Sequence, residues 1–181
     1  MSEEAEGGEA PPPATRTAFG AGVARIVRAW ALLGGLLTLA LAAMTAASAA
    51  SNLVTGRPFA ADYELVKHVI AVAIFMFLPY CQIAGANVTV DIFTEGMSER
   101  GKQAMAAFSA LFAIAFSALL LVQMTGGLRS YLRYQEVTPV LKLPLWTAFP
   151  PILLSLALLL LAACVTFAEG WRGAREPRAR S

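Results

Sequence analysis

Glu64, Lys67 and His68 are the only acid, base and imidazole that the sequence sets close together inside an otherwise apolar stretch. At positions i, i+3 and i+4 they share one face of a helix. Ionisable side chains at a membrane segment are candidates for proton relays. The alternative for this trio is an interfacial ion pair of Glu64 with Lys67, the lysine reaching outward along its aliphatic stem. The trio falls in the first turns of its segment, where water is near, which favours an ion pair or a subunit contact over catalysis. No other grouping suggests chemistry. Cys81 and Cys164 stand alone in apolar runs and suit packing better than a disulfide or metal. No metal-ligand spacing, nucleophile elbow or phosphate loop occurs, and a single histidine excludes a bis-histidine haem held by this chain alone. The chain is therefore read as a non-enzyme without cofactor or metal. The net charge of +2 says little about partners; no nucleic-acid partner is expected.

The elements that carry these residues follow from where charge is missing. Only 14% of the 181 residues are charged and 57% are hydrophobic, against about 25% charged in a soluble domain. No Asp, Glu, Lys or Arg occurs in 29–56, 69–90, 103–128 or 143–168. Each run reaches the roughly 20 residues that a helix needs to cross a bilayer core. Unpaired backbone amides are costly in lipid, so each run must be helical. The run lengths exclude a β-barrel. The expectation is an all-α membrane protein with four transmembrane helices near 30–52, 64–84, 105–125 and 148–167. Residues 1–24 are acidic and rich in Gly and Pro, and read as a disordered tail. Residues 25–170 form the membrane domain and 171–181 a basic tail. The first apolar run is too long for the h-region of a signal peptide, so it is read as an uncleaved span.

Basic residues orient the helices. With both termini inside, the inner segments hold Arg16, Arg25, Arg28, Arg100, Lys102, Arg172, Arg175, Arg178 and Arg180. The outer ones hold Arg57, Lys67, Arg129, Arg133 and Lys142. The excess predicts an N-in/C-in protein. Between spans 2 and 3, residues 87–102 set Val90, Phe93 and Met97 against Asp91, Glu95, Glu99 and Lys102 on a helical wheel. This is the pattern of a short amphipathic helix in the membrane interface. Asp91, Glu95 and Arg100 are then candidates for an inner contact surface. Arg57, Glu64, Lys67, Arg129, Arg133 and Lys142 are candidates for an outer one.

Within the spans polarity is sparse. Thr38, Thr45, Ser48, Gln82, Ser109, Ser117, Gln123, Ser155 and Thr166 are scattered. No pair of Gly/Pro-interrupted helices and no inverted repeat marks the midplane site of a secondary transporter. What the spans offer is packing surface. Gly34, Thr38, Ala42 and Ala46 recur at four-residue steps, a small-residue groove of the type that lets helices approach closely in lipid. Phe108, Phe112 and Phe116 form a bulky ridge on span 3, either a knob for a partner or a lipid-facing side. Such a chain reads as a subunit of a larger membrane assembly.

Three stretches in order carry a resemblance. SNLVTGRPFAADYELVKHV holds Asn52, Arg57, Phe59 and Glu64 before span 2. ANVTVDIFTEGMSERGK holds the pair Val90-Asp91, with Asn87 where many relatives carry a histidine. TPVLKLPLWTAFPP holds Leu143-Pro144, Trp146 and Pro150 before span 4. Over roughly residues 30–170 the chain resembles the small membrane (DctQ-type) subunit of tripartite ATP-independent periplasmic (TRAP) transporters. The resemblance implies a scaffold in the bacterial inner membrane, surrounded by membrane lipids. It would act beside a large multi-span permease and a periplasmic substrate-binding protein, in ion-gradient-driven import of organic acids such as carboxylates. An unrelated four-helix assembly factor or regulatory subunit, and a membrane enzyme using Glu64, Lys67 and His68, are the competing readings.

Overall fold

The computed structural model describes residues 18–59, 62–85 and 99–175. Four long helices follow one another: α1 (Ala18–Thr55), α2 (Asp62–Ile83), α3 (Glu99–Tyr134) and α4 (Phe149–Arg175), the last preceded by a 3-10 turn at Leu145–Ala148. All four contain stretches long and apolar enough to cross a membrane. Among the described residues there is no strand, only an isolated antiparallel bridge between Val137 and Pro144.

The helices overrun the spans expected from hydropathy. α1 has 38 residues, about 57 Å at 1.5 Å per residue, well beyond the ~30 Å hydrocarbon core. It begins at Ala18, inside the stretch expected to be a tail, and α4 runs to Arg175, inside the expected basic tail. A hydropathy run marks only the lipid-soluble part of a helix, and backbone hydrogen bonding continues past it. The expected interfacial helix over 87–102 lies largely outside the described residues, and its last positions belong to the start of α3. Three ends are closed by a left-handed residue: Gly56 (φ 69°), Gly85 (φ 67°) and Gln135 (φ 48°). The Gly56 and Gln135 N–H groups donate to the carbonyls of Asn52 and Tyr131 at 2.9 Å, satisfying carbonyls that the ended helix would leave open.

The helices pack in the order α1, α2, α4, α3, with α4 between α2 and α3; α1 meets α4 only lightly. One core cluster joins Val23 and Val27 of α1, Ile83 of α2, and Leu158, Ala162 and Val165 of α4. A second joins Val72 and Met76 of α2 to Ile152, Leu156 and Leu159 of α4, with Leu120, Leu121 and Met124 of α3 against it. Trp30 packs on both. Its indole N–H donates to Ser155 Oγ at 2.9 Å, and that hydroxyl donates to the Pro151 carbonyl at 2.7 Å. This bond ties α1 to α4, the pair with little other contact.

The buried face of α1 comprises Gly20, Val23, Val27, Ala31, Gly34, Leu41 and Ser48, of which Gly20, Val27, Gly34, Leu41 and Ser48 are spaced in sevens along its length. Of the expected four-step groove only Gly34 is buried, while Thr38, Ala42 and Ala46 are exposed. The geometry of a helix accounts for this. Four residues turn the direction by about 40° past a full circle, whereas seven fall only about 20° short of two circles. A stripe in fours therefore winds away from any neighbour that a stripe in sevens keeps facing. Gly34 sits where both stripes meet, and a Cβ there would lie 2.9 Å from Met76 Cβ, so α1 and α2 touch at a glycine.

Candidate functional site

The polar features expected to matter gather at the end of the molecule that carries the α1–α2 and α3–α4 connections. The first connection folds back on α1. Ser51 Oγ donates to the Arg57 carbonyl at 3.1 Å, the Phe59 N–H donates to the buried Ser48 Oγ at 3.2 Å, and Asp62 N–H donates to the Phe59 carbonyl at 3.1 Å. Thr45 Oγ1 lies 3.4 Å from Asp62 Oδ1. Short hydroxyl side chains late in α1 thus decide where α2 starts.

The second connection is a tight loop. α3 stops at Tyr134, where Gln135 takes up a left-handed conformation. The chain then doubles back. Thr138 N–H donates to the Leu143 carbonyl at 3.0 Å, Leu143 N–H to Thr138 Oγ1 at 3.1 Å, and Leu145 N–H to the Glu136 carbonyl at 3.0 Å. Thr138 is itself buried. Lys142 closes the turn at φ 51°, with its N–H donating to the Thr138 carbonyl at 3.1 Å.

Glu64 reaches this loop from the first turn of α2. Its two carboxylate oxygens accept the consecutive N–H groups of Val140 (2.8 Å) and Leu141 (2.9 Å). Charge-assisted bonds of this kind are roughly twice as strong as neutral ones, and two from adjacent residues fix a loop's orientation as well as its position. One turn further along α2, His68 Nε2 lies 3.0 Å from Thr147 Oγ1. That hydroxyl's single proton goes to the Pro144 carbonyl at 2.7 Å, so the ring must supply Nε2–H. Lys67 takes a third direction: its Nζ sits 4.3 Å from the centre of the Tyr63 ring, a cation–π contact. The Glu64–Lys67 ion pair expected from the i, i+3 spacing is replaced by these separate partners. Carboxylate, ammonium and imidazole serve different contacts, and two of the three fasten α2 to the α3–α4 connection.

The other outer candidates, Arg57, Arg129, Arg133 and Lys142, are exposed at this same end, as is Lys67. Asp91 and Glu95 lie outside the described residues, and Arg100 is placed in the first turn of α3 at the opposite end. Spacing within one helix could not reveal Val140, Leu141, Thr138 or Thr147, since Glu64 and Val140 stand far apart in the chain.

Between the start of α2, the end of α3 and the loop lies a cavity of about 480 Å³. Tyr63, Lys67 and His68 stand on one side, Tyr131 and Phe149 on another, and Thr138 and Pro139 above it. The Tyr131 and Phe149 rings pack with centroids 5.2 Å apart. Gly127 makes room for the Phe149 ring, since a Cβ there would stand 3.0 Å from Phe149 Cε1. Glu169, just past the last charge-free run, is a buried carboxylate near the other end of α4, which the sequence reading did not single out.

No curated protein and no solved structure matches the chain. A family profile does, that of the tripartite ATP-independent periplasmic transporters, DctQ component, over residues 41–173. The matched region runs from the middle of α1 to the end of α4 and so takes in the Glu64 contact and the loop it holds. With four helices able to span a membrane and a match over more than half its length, the chain belongs to the DctQ family and is a multi-pass membrane component of a TRAP transporter.

Proposed function

We propose that this chain is the small scaffold subunit of an ion-gradient-driven importer of organic acids, in particular carboxylates. It sits in the bacterial inner membrane with both termini in the cytoplasm. A large permease subunit holds the substrate and ion sites, and a periplasmic binding protein delivers the ligand. The observation that carries the reading is the end built around Glu64. There a carboxylate secures a loop while Arg57, Lys67, Arg129, Arg133 and Lys142 remain exposed around it. A surface that is both fixed and cationic suits repeated docking of a soluble protein with an acidic face, because complementary charge accelerates encounter.

The rest of the molecule supports a frame in preference to a moving part. Phe108, Phe112 and Phe116 face outward on α3, as do Thr38, Ala42 and Ala46 on α1. These are surfaces for the large subunit or for lipid. Asp91, Glu95 and Arg100 would serve the cytoplasmic side. Substrate choice would rest with the partner chains.

Proteoliposomes holding this chain and its large partner test the reading. Replacing Arg129 and Arg133 by Glu should raise the concentration of binding protein needed for half-maximal carboxylate uptake and steepen its dependence on salt. The ligand affinity of the isolated binding protein should not change. Equal uptake at every concentration would sink the docking assignment. Normal uptake in cells lacking this chain would sink the scaffold role itself.

A further inference from the structure

We infer that the cavity lined by Glu64 and Lys67 is a binding site that holds one phospholipid of the outer leaflet, phosphate toward Lys67 and an acyl chain against Ala71, Ala148 and Phe149. The inference rests on the four helices spanning a bilayer, and its choice of leaflet on the N-in/C-in orientation proposed above.

Depth comes first. Ala71 lies about 13 Å beyond Asp62 along α2, so the cavity runs from the first turn of a spanning helix into its apolar part. Walls of Ala71, Leu145, Ala148 and Phe149 at that depth offer water few partners, and an apolar cavity of this kind stays dry. What surrounds the protein at that depth is acyl chain. The space of about 480 Å³ falls in the range of ordinary ligand pockets, apolar with a few convergent polar groups, and so takes the phosphate and one acyl segment, the rest of the lipid lying outside it.

Polarity is arranged as an amphiphile requires. Lys67, Tyr63 and His68 line the cavity within the first two turns of α2, at headgroup level, and the apolar residues lie deeper. Lys67 is the cation among the lining residues. Glu64 also lines the cavity and keeps its negative charge, but both its carboxylate oxygens are engaged with the N–H groups of Val140 and Leu141 rather than with Lys67. Among the described residues the ammonium's contact is the Tyr63 ring, which it can leave for a phosphodiester without breaking an ion pair.

The site is also formed in advance. Phe149 is seated on Gly127 and against Tyr131, and the Thr138-Pro139 roof is fixed through the Glu64 contact. A site that need not be ordered on binding retains more of its contact energy as affinity.

The test is phospholipid retention by the full-length chain, extracted from membranes into mild detergent and weighed by native mass spectrometry. Wild-type protein and Leu119→Trp, altered on the exposed face of α3, should each keep one phospholipid. Ala71→Trp, which fills the cavity, should lose it. Lys67→Ala should reduce retention several-fold, and Lys67→Arg should restore it. Helicity by circular dichroism shows whether each variant folds, and the lysine pair decides the matter if Ala71→Trp does not. Millimolar inorganic phosphate has the headgroup chemistry without the chain and should not displace the lipid. Displacement by phosphate would make this a free-anion site and overturn the inference. So would equal retention in all variants, or none in wild type. Unchanged retention with weakened capture of the soluble binding protein by Ala71→Trp would assign the cavity to that protein instead.

Discussion

α3 and α4 are near equals as sequences, two long helices each with a stretch apolar enough to cross a membrane, yet they are used in opposite ways. In the most apolar stretch of α4, 39% of residues are buried within the molecule, against 17% for α3. α4 presents one side to α2 and another to α3, and residues such as Leu156, Ala162 and Ala163 are closed off completely. α3 meets α4 through Ala110, Ser117, Met124 and Tyr131, again spaced in sevens, and turns Phe108, Phe112, Leu119 and Val122 outward. Hydropathy sorts residues by solvent, and lipid and protein interior are alike to it. What separates the two helices is how many neighbours each meets: α4 is covered on two sides, whereas α3 meets mainly α4, closely at Ala110 and Ser117, and leaves most of its large residues for lipid or another subunit.

The contrast can be broken at its strongest point first. Leu156→Ala removes a fully buried side chain from α4 and should cost about 2–5 kcal/mol of stability, mostly as an unfilled cavity. Unfolding in mixed micelles followed by circular dichroism measures it. Gly34→Leu forces α1 away from Met76 and should cost about 1–3 kcal/mol by overpacking. In the same assay Ala42→Leu, two turns along and exposed, should leave the isolated chain unaffected. If Ala42→Leu weakens co-purification with the large subunit, the exposed stripe of α1 is a partner surface. Trp30→Phe removes the bond to Ser155. The loss should be about 0.6 kcal/mol, the average for hydrogen bonds between membrane helices, and a crosslink between α1 and α4 should form less efficiently. Smallest of all, Leu119→Ala on the open face of α3 should alter the isolated chain's stability by no more than about 0.5 kcal/mol. A cost as large as that of Leu156→Ala would mean that α3 is buried in a way this arrangement lacks.

The loop end obeys a different rule from the spans. In the spans most contacts are apolar, and along α1 and α3 many recur in sevens; at the loop end a few directional bonds between distant residues set the geometry. Glu64→Gln tests this, because an amide offers one acceptor oxygen where the carboxylate offers two. Hydrogen exchange at Val140 and Leu141 should quicken several-fold, with the spans unchanged. Unchanged protection would show that the loop's own bonds suffice.

Much of this protein could be read along the chain. Charge-free runs located the four helices, since length and backbone satisfaction in lipid leave no alternative. The three ordered stretches pointed to the family that the profile match shows. The i, i+3, i+4 spacing singled out Glu64, Lys67 and His68 as residues to watch. The tertiary structure alone decided what those residues do and which faces are inside. Glu64 meets two amides of a loop far away in sequence, and Lys67 turns to Tyr63. Of the four-step groove on α1, Gly34 is buried against Met76 while Thr38, Ala42 and Ala46 are exposed among the described residues. A helix's own periodicity specifies which residues share a face, but the neighbour that the face meets depends on how four helices settle together, and apolar composition carries no record of that.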